Sequence, residues 1–511
     1  MKKFLVVGRW LALCGVICLV GLTMAYAAPA RARGENTNSH ETARVALAPH
    51  AVTDVTSLFG LDEGGVLRND ANARALAVSS GVHSARMMVS WNAIENTQGV
   101  YDFTATDETI NTILASGLTP IIYIAHNPPW AANLPCGPID TNDSAILTAF
   151  GNFMNALAAH YPDVKIWALY NEEDDPNGDP TATSSGCFGS PSDGGVNNNN
   201  IPDYAEYAIM LKTAWKAVHD ANTGAELVTG ALAFDNFNPS SCPPGYSCDG
   251  GRFNYRFPSK LFSYMAENPL TGGDKYMDEV LFNYYDVYGW YWEAQTKGKG
   301  VQAKANVLRA KMRDAGIPVV DLFVAETGEP STADWVKLDG QARCLTITMV
   351  RGAATKLKGI IWWTFKDYPD SAPAPQNTWK YGLVDQNLTP KLSYAAMKTL
   401  TSELNGYTYN KTYSNKAAFK NVEAYRFSNG AARKYVVWSS SIKGGPSEIS
   451  ECGRPRTKNL AVFKAKTIRV VDYASGAAKT IKDNAKADKD KTVGKIGINI
   501  STSPKFVQIN P

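Results

Sequence analysis

The chain has 511 residues, with 51 basic and 48 acidic side chains, 44% hydrophobic residues and 8 cysteines. The formal charge of +3 is carried by Lys2, Lys3 and Arg9, and the rest of the chain balances basic against acidic groups. Such balance excludes the electrostatic footprint of a nucleic-acid binder or of a protein drawn to anionic membranes, and the length accommodates one large domain and a smaller one.

At the N-terminus, Lys2, Lys3 and Arg9 precede an apolar run to Met24, and Ala25-Tyr26-Ala27 offers a small-x-small cleavage site. The pattern predicts a secretory signal over residues 1–27. An uncleaved anchor is the alternative, disfavoured because Gly and Cys interrupt the run. No later segment is long and apolar enough to span a bilayer, so the mature protein is expected to be soluble, exported and without a membrane partner. Residues 28–50 are polar and poor in aromatics, and read as a disordered leader. Cleavage would remove Cys14 and Cys18 and leave Cys136, Cys187, Cys242, Cys248, Cys344 and Cys452. An even count in an exported chain fits disulfides. Cys242 with Cys248 is the nearest local pair, and Cys136 with Cys187 is a plausible second. Without a CxxC or a neighbouring His, zinc binding is the weaker reading.

From residue 51 to 408 one rhythm repeats. A helical stretch ends in Gly or Pro, and a short run apolar on both faces follows, as in Ala115-Ser116-Gly117 before Leu118 to Ala125. Such runs are the mark of parallel strands buried within βα units. They fall near residues 55–60, 84–90, 119–125, 164–170, 226–232, 279–285, 319–325 and 358–364. Eight units over roughly 350 residues predict a (β/α)8 TIM barrel with enlarged loops. No GxGxxG opens a helix, which removes the main support for a nucleotide-binding sheet. Residues 409–511 change texture: Ala424 to Ser428, Lys434 to Ser439, Thr467 to Tyr473 and Phe506 to Ile509 alternate between Gly, Asn and Ser turns. They predict a small C-terminal antiparallel β-sandwich.

In such a barrel the chemistry sits at the C-terminal ends of the strands. The fourth run, Val164 to Tyr170, ends in Asn171-Glu172, and the seventh, Leu322 to Ala325, ends in Glu326. Either acid alone is an ordinary loop carboxylate. Together, at strands four and seven, they would face each other across the barrel axis. Glycosidic bond cleavage needs such a pair, one carboxyl to protonate the leaving oxygen and one to attack or to activate water.

Around this pair the chain resembles the clan A glycoside hydrolases, nearest to the family 39 and family 5 types, over residues 55 to 405. The matching residues are Arg86 in Ala85-Arg86-Met87-Met88-Val89-Ser90-Trp91, Trp91 to Glu95 with Gly99 to Phe103 and Asp107, and Pro128-Pro129-Trp130-Ala131. Further matches are Trp167 to Glu172, Ala325-Glu326-Thr327-Gly328, Trp362 to Asp367, Gly382 to Asp385 and Pro390 to Tyr394. The C-terminal sandwich resembles the accessory β-domain of many such enzymes. The resemblance implies a retaining mechanism, with Glu326 as nucleophile, Glu172 as acid/base and the two carboxyls about 5–5.5 Å apart. Arg86 and Tyr285 would keep Glu326 ionised, and Asn171 would bind the sugar 2-hydroxyl. One departure is Asn283, which stands where the family pattern usually has His. It points to a different sugar in the central subsite.

Trp363 is the candidate platform under the central sugar, whereas Trp362 fits the barrel core. Tyr288, Trp290, Tyr291 and Trp292 cluster after the sixth run, where they either meet substrate or pack the loop down. Trp130, Trp335 and His126 are further candidates, and His83 reads as a satisfied barrel histidine. The loop after the fourth run holds Asp174, Asp175, Asn177 and Asp179; the last three have the spacing that opens a calcium loop but lack its Gly and distal Glu, so a solvated acidic loop is expected. No metal or other cofactor is implied. The expected partner is a poly- or oligosaccharide, with xylan, glucan, mannan and bacterial exopolysaccharide all consistent. A transglycosylase of the same mechanism and a catalytically dead carbohydrate-binding barrel stay open as alternatives.

Overall fold

The computed structural model describes residues 54–63, 65–175, 188, 195–233, 253–286, 289–296, 298–332, 338–372, 380–414, 416–439 and 459–510. Eight strands close into a barrel in chain order: β1 Phe59–Asp62, β2 Ser84–Ser90, β3 Thr119–Ala125, β4 Ile166–Leu169, β5 Glu226–Thr229, β6 Glu279–Tyr285, β7 Asp321–Gly328 and β8 Gly359–Trp362. All neighbours run parallel, β8 and β1 included. The crossovers carry α1 Ala71–Ser79, α2 Thr104–Ala115, α3 Ser144–His160, α4 Asp203–Ala221, α5 Phe257–Glu267, α6 Val301–Ala315 and α7 Leu338–Ala354, and α8 Leu392–Leu404 follows β8. Local chemistry sets several of their ends. Asp70 caps α1 by accepting from the amides of Asn72 and Ala73, and Asp143 caps α3 in the same way. Gly316 closes α6 at φ 82°, a left-handed cap that glycine adopts without strain.

Two of the predicted runs are corrected. Residues 55–58 form a 3-10 turn, because the Asp54 carboxylate accepts from the Thr56 amide and bends the chain; the first strand therefore begins at Phe59 and ends at Asp62. The seventh starts at Asp321, later than expected, and runs on through Glu326 to Gly328.

Strand alternation sorts the side chains into two shells. Outward residues such as Leu61, Ala85, Ile122, Val280 and Val324 pack under the helices, in the main core. Inward residues Ile121, Ala168, Val228, Leu281, Phe323 and Ile361 fill the barrel floor. Phe323 needs the space left by Gly359, since a side-chain carbon there would overlap its ring.

The C-terminal part is antiparallel, as expected. A six-stranded sheet of order β14-β13-β16-β11-β10-β9 faces a two-stranded one, β12-β15. The strands are β9 Thr408–Thr412, β10 Val422–Asn429, β11 Ala432–Ser439, β12 Asn459–Lys464, β13 Thr467–Asp472, β14 Ala478–Lys482, β15 Lys495–Ile500 and β16 Lys505–Ile509. Val422, Val437, Phe463, Ile468, Ile496 and Val507 belong to their shared core. Buried ion pairs tie this part to the barrel helices, Arg351 of α7 to Glu423 of β10 and Glu403 of α8 to Lys434 of β11. Among the described residues no helix is long and apolar enough to cross a membrane.

Candidate active site

The site is one pleat above the barrel floor. Two residues beyond inward-facing Gly60, Ser84, Ile121, Leu281 and Ile361 come Asp62, Arg86, Tyr123, Asn283 and Trp363, and a step of two keeps a side chain on the same face. Plain alternation along β7 would turn Glu326 outward, because Phe323 and Ala325 already face in. A bulge corrects this. Phe282 pairs with Val324 but Asn283 pairs with Glu326, so Ala325 is the extra residue and Glu326 is re-aimed.

Arg86 organises this layer. It is buried, 1% exposed, and its guanidinium lies 4.2 Å from the centre of the Tyr123 ring. Nη1 donates to Glu326 Oε1 at 2.8 Å and to Asp62 Oδ2 at 3.2 Å, while Nη2 donates to Asn171 Oδ1 at 2.6 Å. The Tyr285 hydroxyl donates to the other oxygen of Glu326, Oε2, at 2.9 Å. Both oxygens of Glu326 are therefore held by donors suited to an anion. Across the site the Asn283 amide donates to Glu172 Oε1 at 2.9 Å. Asn283 and Tyr285 are alternate residues of one strand, so β6 grips both carboxylates and brings them to one place.

The electrostatics differ around the ring. Burial pushes Asp62 up to about 7, with Arg86 lowering it and Glu326 and Glu63 adding to the rise. Burial also raises the Tyr285 hydroxyl well above its ordinary value, with Glu326 and Glu172 contributing, so Tyr285 is a neutral donor. Behind Glu172, the Glu173 carboxyl is buried and raised, first by desolvation and then by Asp174, with the Tyr207 hydroxyl opposing the rise. A side-chain carbon at Gly230 would strike that carboxyl. The mouth of the barrel is also where the backbone departs from ordinary conformations: His126, Tyr170 and Glu172 have φ of 60°, 66° and 52°.

Of the residues singled out from sequence, Glu326, Arg86, Asn171 and Tyr285 form one hydrogen-bonded set, and Glu172 with Asn283 forms a pair beside it, joined through the strand that carries both Asn283 and Tyr285. Trp363 stands beside it, half-buried, with Tyr285, Tyr368 and Tyr381 ring centres 6.4, 5.5 and 4.9 Å away. Trp362 is in the core, donating to the Tyr381 carbonyl. His126 follows β3 and meets the Ser90 hydroxyl at 3.1 Å. Trp130 is held in its loop by the Glu95 carbonyl and by the edge of Trp91. Trp292 is fully buried beneath the Lys304 ammonium and so packs its helix, Gly289–Gln295, down. The side chain of Trp290, and Tyr288, Trp335, Asn177, Asp179, Cys187, Cys242, Cys248 and Cys452, lie outside the described residues.

Two expectations are corrected. His83 is exposed and meets the Thr56 hydroxyl at 3.3 Å, because it stands just before β2 rather than inside the barrel. Asp174 and Asp175 are fully buried rather than solvated. The turn after Glu172 tucks them inward, where the Ala233 amide donates to Asp174 Oδ1 at 3.0 Å. Sequence reasoning missed Asp62, Tyr123 and Tyr368. The end-of-strand rule would have found Asp62 had the first strand been placed correctly. Among the described residues Asp286, Glu329 and Cys344 bring ligand-type atoms within 4.8 Å of one another. Each is engaged by other groups of the protein, which makes them a polar knot beside β6 rather than a free ligand set.

No family model matches the chain, and no curated protein matches it. Its fold is similar to solved structures. A family 39 glycoside hydrolase from Bacteroides cellulosilyticus WH2 shares 18% identity with a TM-score of 0.58, over 89% of this chain and 81% of that one. A glucosidase from Croceicoccus marinus shares 11% at 0.55, over 90% and 97%. A family 30 endoxylanase from Clostridium papyrosolvens C71 shares 11% at 0.53, over 91% and 98%. At these identities the likeness is one of fold, and it extends over nine-tenths of the chain.

Proposed function

We propose that this protein is an exported retaining glycosidase that cleaves O-glycosidic bonds of a poly- or oligosaccharide by double displacement. The observation that carries the reading is the grip of β6 on two differently held carboxylates, Tyr285 on Glu326 and Asn283 on Glu172. Glu326, paired with Arg86, is the nucleophile. It attacks the anomeric carbon while Glu172 gives its proton to the departing oxygen. Glu172 then takes a proton from water, and the water oxygen displaces Glu326 and frees the sugar. The carboxyl separation suited to this course is about 5–5.5 Å.

Asn171 spends its Oδ1 on Arg86, which orients its amide NH2 as the donor for the sugar 2-hydroxyl. Trp363, among three tyrosines, gives the glycone an aromatic face. The barrel neighbours that include a glucosidase and an endoxylanase support a carbohydrate substrate. Export rests on the signal-like residues 1–27, and disulfides among the remaining cysteines fit an oxidising destination.

Incubation with a panel of 2-deoxy-2-fluoro glycosides, followed by peptide mass mapping, tests the assignment. A label on Glu326 establishes nucleophile and retention together. A label on any other residue, or inverted product stereochemistry by NMR, removes the proposal.

A further inference from the structure

Arg86 Nη1 serves two carboxylates at once, Glu326 at 2.8 Å and Asp62 at 3.2 Å. The rest of the guanidinium is fixed by Asn171 and by the Tyr123 face, so any change in its pull on one carboxylate is felt by the other. We propose that Asp62 is a positioning residue for the nucleophile, acting through Arg86: protonated, it leaves the Nη1 donor to Glu326; ionised, it competes with Glu326 for that donor. The proposal rests on Glu326 being the nucleophile.

The groups that face Asp62 are Arg86 from β2, Glu326 from β7, Tyr123 from β3, Tyr368 from the segment after β8, and Glu63 beside it in the chain. Arg86 is the one cation among them. Two carboxylates that share one cation in a buried site do not ionise independently. Burial holds Asp62 up to about 7, so as pH falls it takes a proton while Arg86 and Tyr285 go on donating to Glu326. Its backbone is anchored, since its carbonyl accepts from the Phe365 amide at 2.9 Å and the Thr364 hydroxyl at 3.1 Å. A change at Asp62 is therefore a change of charge at a fixed place.

The test isolates the nucleophile from the acid. With 2,4-dinitrophenyl 2-deoxy-2-fluoro-β-glycosides of xylose, glucose and mannose, dinitrophenolate departs without a proton from Glu172. The inactivation rate constant is measured from about pH 5 to 9 for the wild type, Asp62→Asn and Asp62→Glu. The wild-type value is expected to fall about three- to tenfold as pH rises through neutrality, within the lower part of the range of coupling between neighbours that share a partner. Asp62→Asn should lose that inflection whatever its plateau, and Asp62→Glu should keep one. A flat wild-type profile, or an inflection that survives in Asp62→Asn, overturns the proposal. If intact mass shows no adduct on any of the three proteins at any pH, the glycosidase reading itself has failed, and the proposal falls with it.

Discussion

Arg351, in the helix between β7 and β8, meets Glu423 of the sandwich through two hydrogen bonds, Nη2 to Oε1 at 2.6 Å and Nε to Oε2 at 3.1 Å, with both side chains almost wholly withdrawn from water. The Tyr425 hydroxyl donates to the same carboxylate at 2.8 Å, and the Trp438 ring lies 5.8 Å from the guanidinium. The junction between barrel and sandwich thus contains a charge pair that neither part can solvate alone.

Glu423→Ala leaves that guanidinium buried without its counter-ion, and should cost about 3–5 kcal/mol in chemical denaturation. Arg351 holds the Glu423 carboxyl below its ordinary 4.5 despite the opposing effect of burial. The pair's contribution is therefore present above that pH and lost as pH falls below it. An unfolding midpoint unchanged in Glu423→Ala would show that the junction is solvated.

Glu172→Gln should slow hydrolysis of an unactivated oligosaccharide by about 10²–10⁴, the usual contribution of a general acid. The first step on a dinitrophenyl glycoside should be spared, and a burst of dinitrophenol followed by slow turnover is expected. Equal losses on both substrates in pre-steady-state kinetics would remove Glu172 from the acid role.

Tyr285→Phe removes the donor to Glu326 Oε2 while leaving Arg86 on Oε1. A fall of about 10² in kcat with little change in KM is expected, as for loss of one oriented donor in a buried site. A change confined to KM would make Tyr285 a substrate contact instead.

Asp62→Asn should change stability in a pH-dependent way. The folded-state value is about 7 against an ordinary 3.8, so folding favours the protonated form. The cost of ionising Asp62 in the fold is absent below 3.8, grows through the interval and is complete above 7. The melting temperature of Asp62→Asn relative to wild type should rise across that window, by the equivalent of a few kcal/mol, on the order of 1.4 per pH unit between the two values. A constant difference from acid to neutral pH would contradict the assigned environment.

Much of the barrel was readable because a strand buried on both faces leaves an unbroken apolar run, and Glu172 and Glu326 stand where such runs stop. The first strand was misplaced for a local reason: Val55 and Leu58 are apolar at a spacing of three, and only the Asp54 cap makes that a turn. This shift hid Asp62. The outer strands β9 and β14 were passed over because they are sheet edges with lysine-bearing sequences, β9 without a buried residue and β14 with one. Glu326 was found by rule, but its aim was not; that depends on the extra residue Ala325, which pairing with β6 alone reveals. Nor does composition show that Asp174 and Asp175 face inward, since short-range pattern cannot tell a solvated acid from one satisfied by a distant amide.

His126, Tyr170 and Glu172 all hold backbone angles that L-residues other than asparagine and aspartate seldom adopt, with φ between 52° and 66°. Selection for heat resistance and selection for turnover would therefore pull apart at these three positions. A library sorted only by survival after heating should enrich glycine or asparagine there, relaxing the chain by about 1 kcal/mol or more at each. The same clones would lose the hydrogen bonds of His126 to Ser90, Tyr170 to Asn127 and Glu172 to Asn283. An engineer seeking a hardier protein should leave this rim alone and look to the sheet edges of the sandwich.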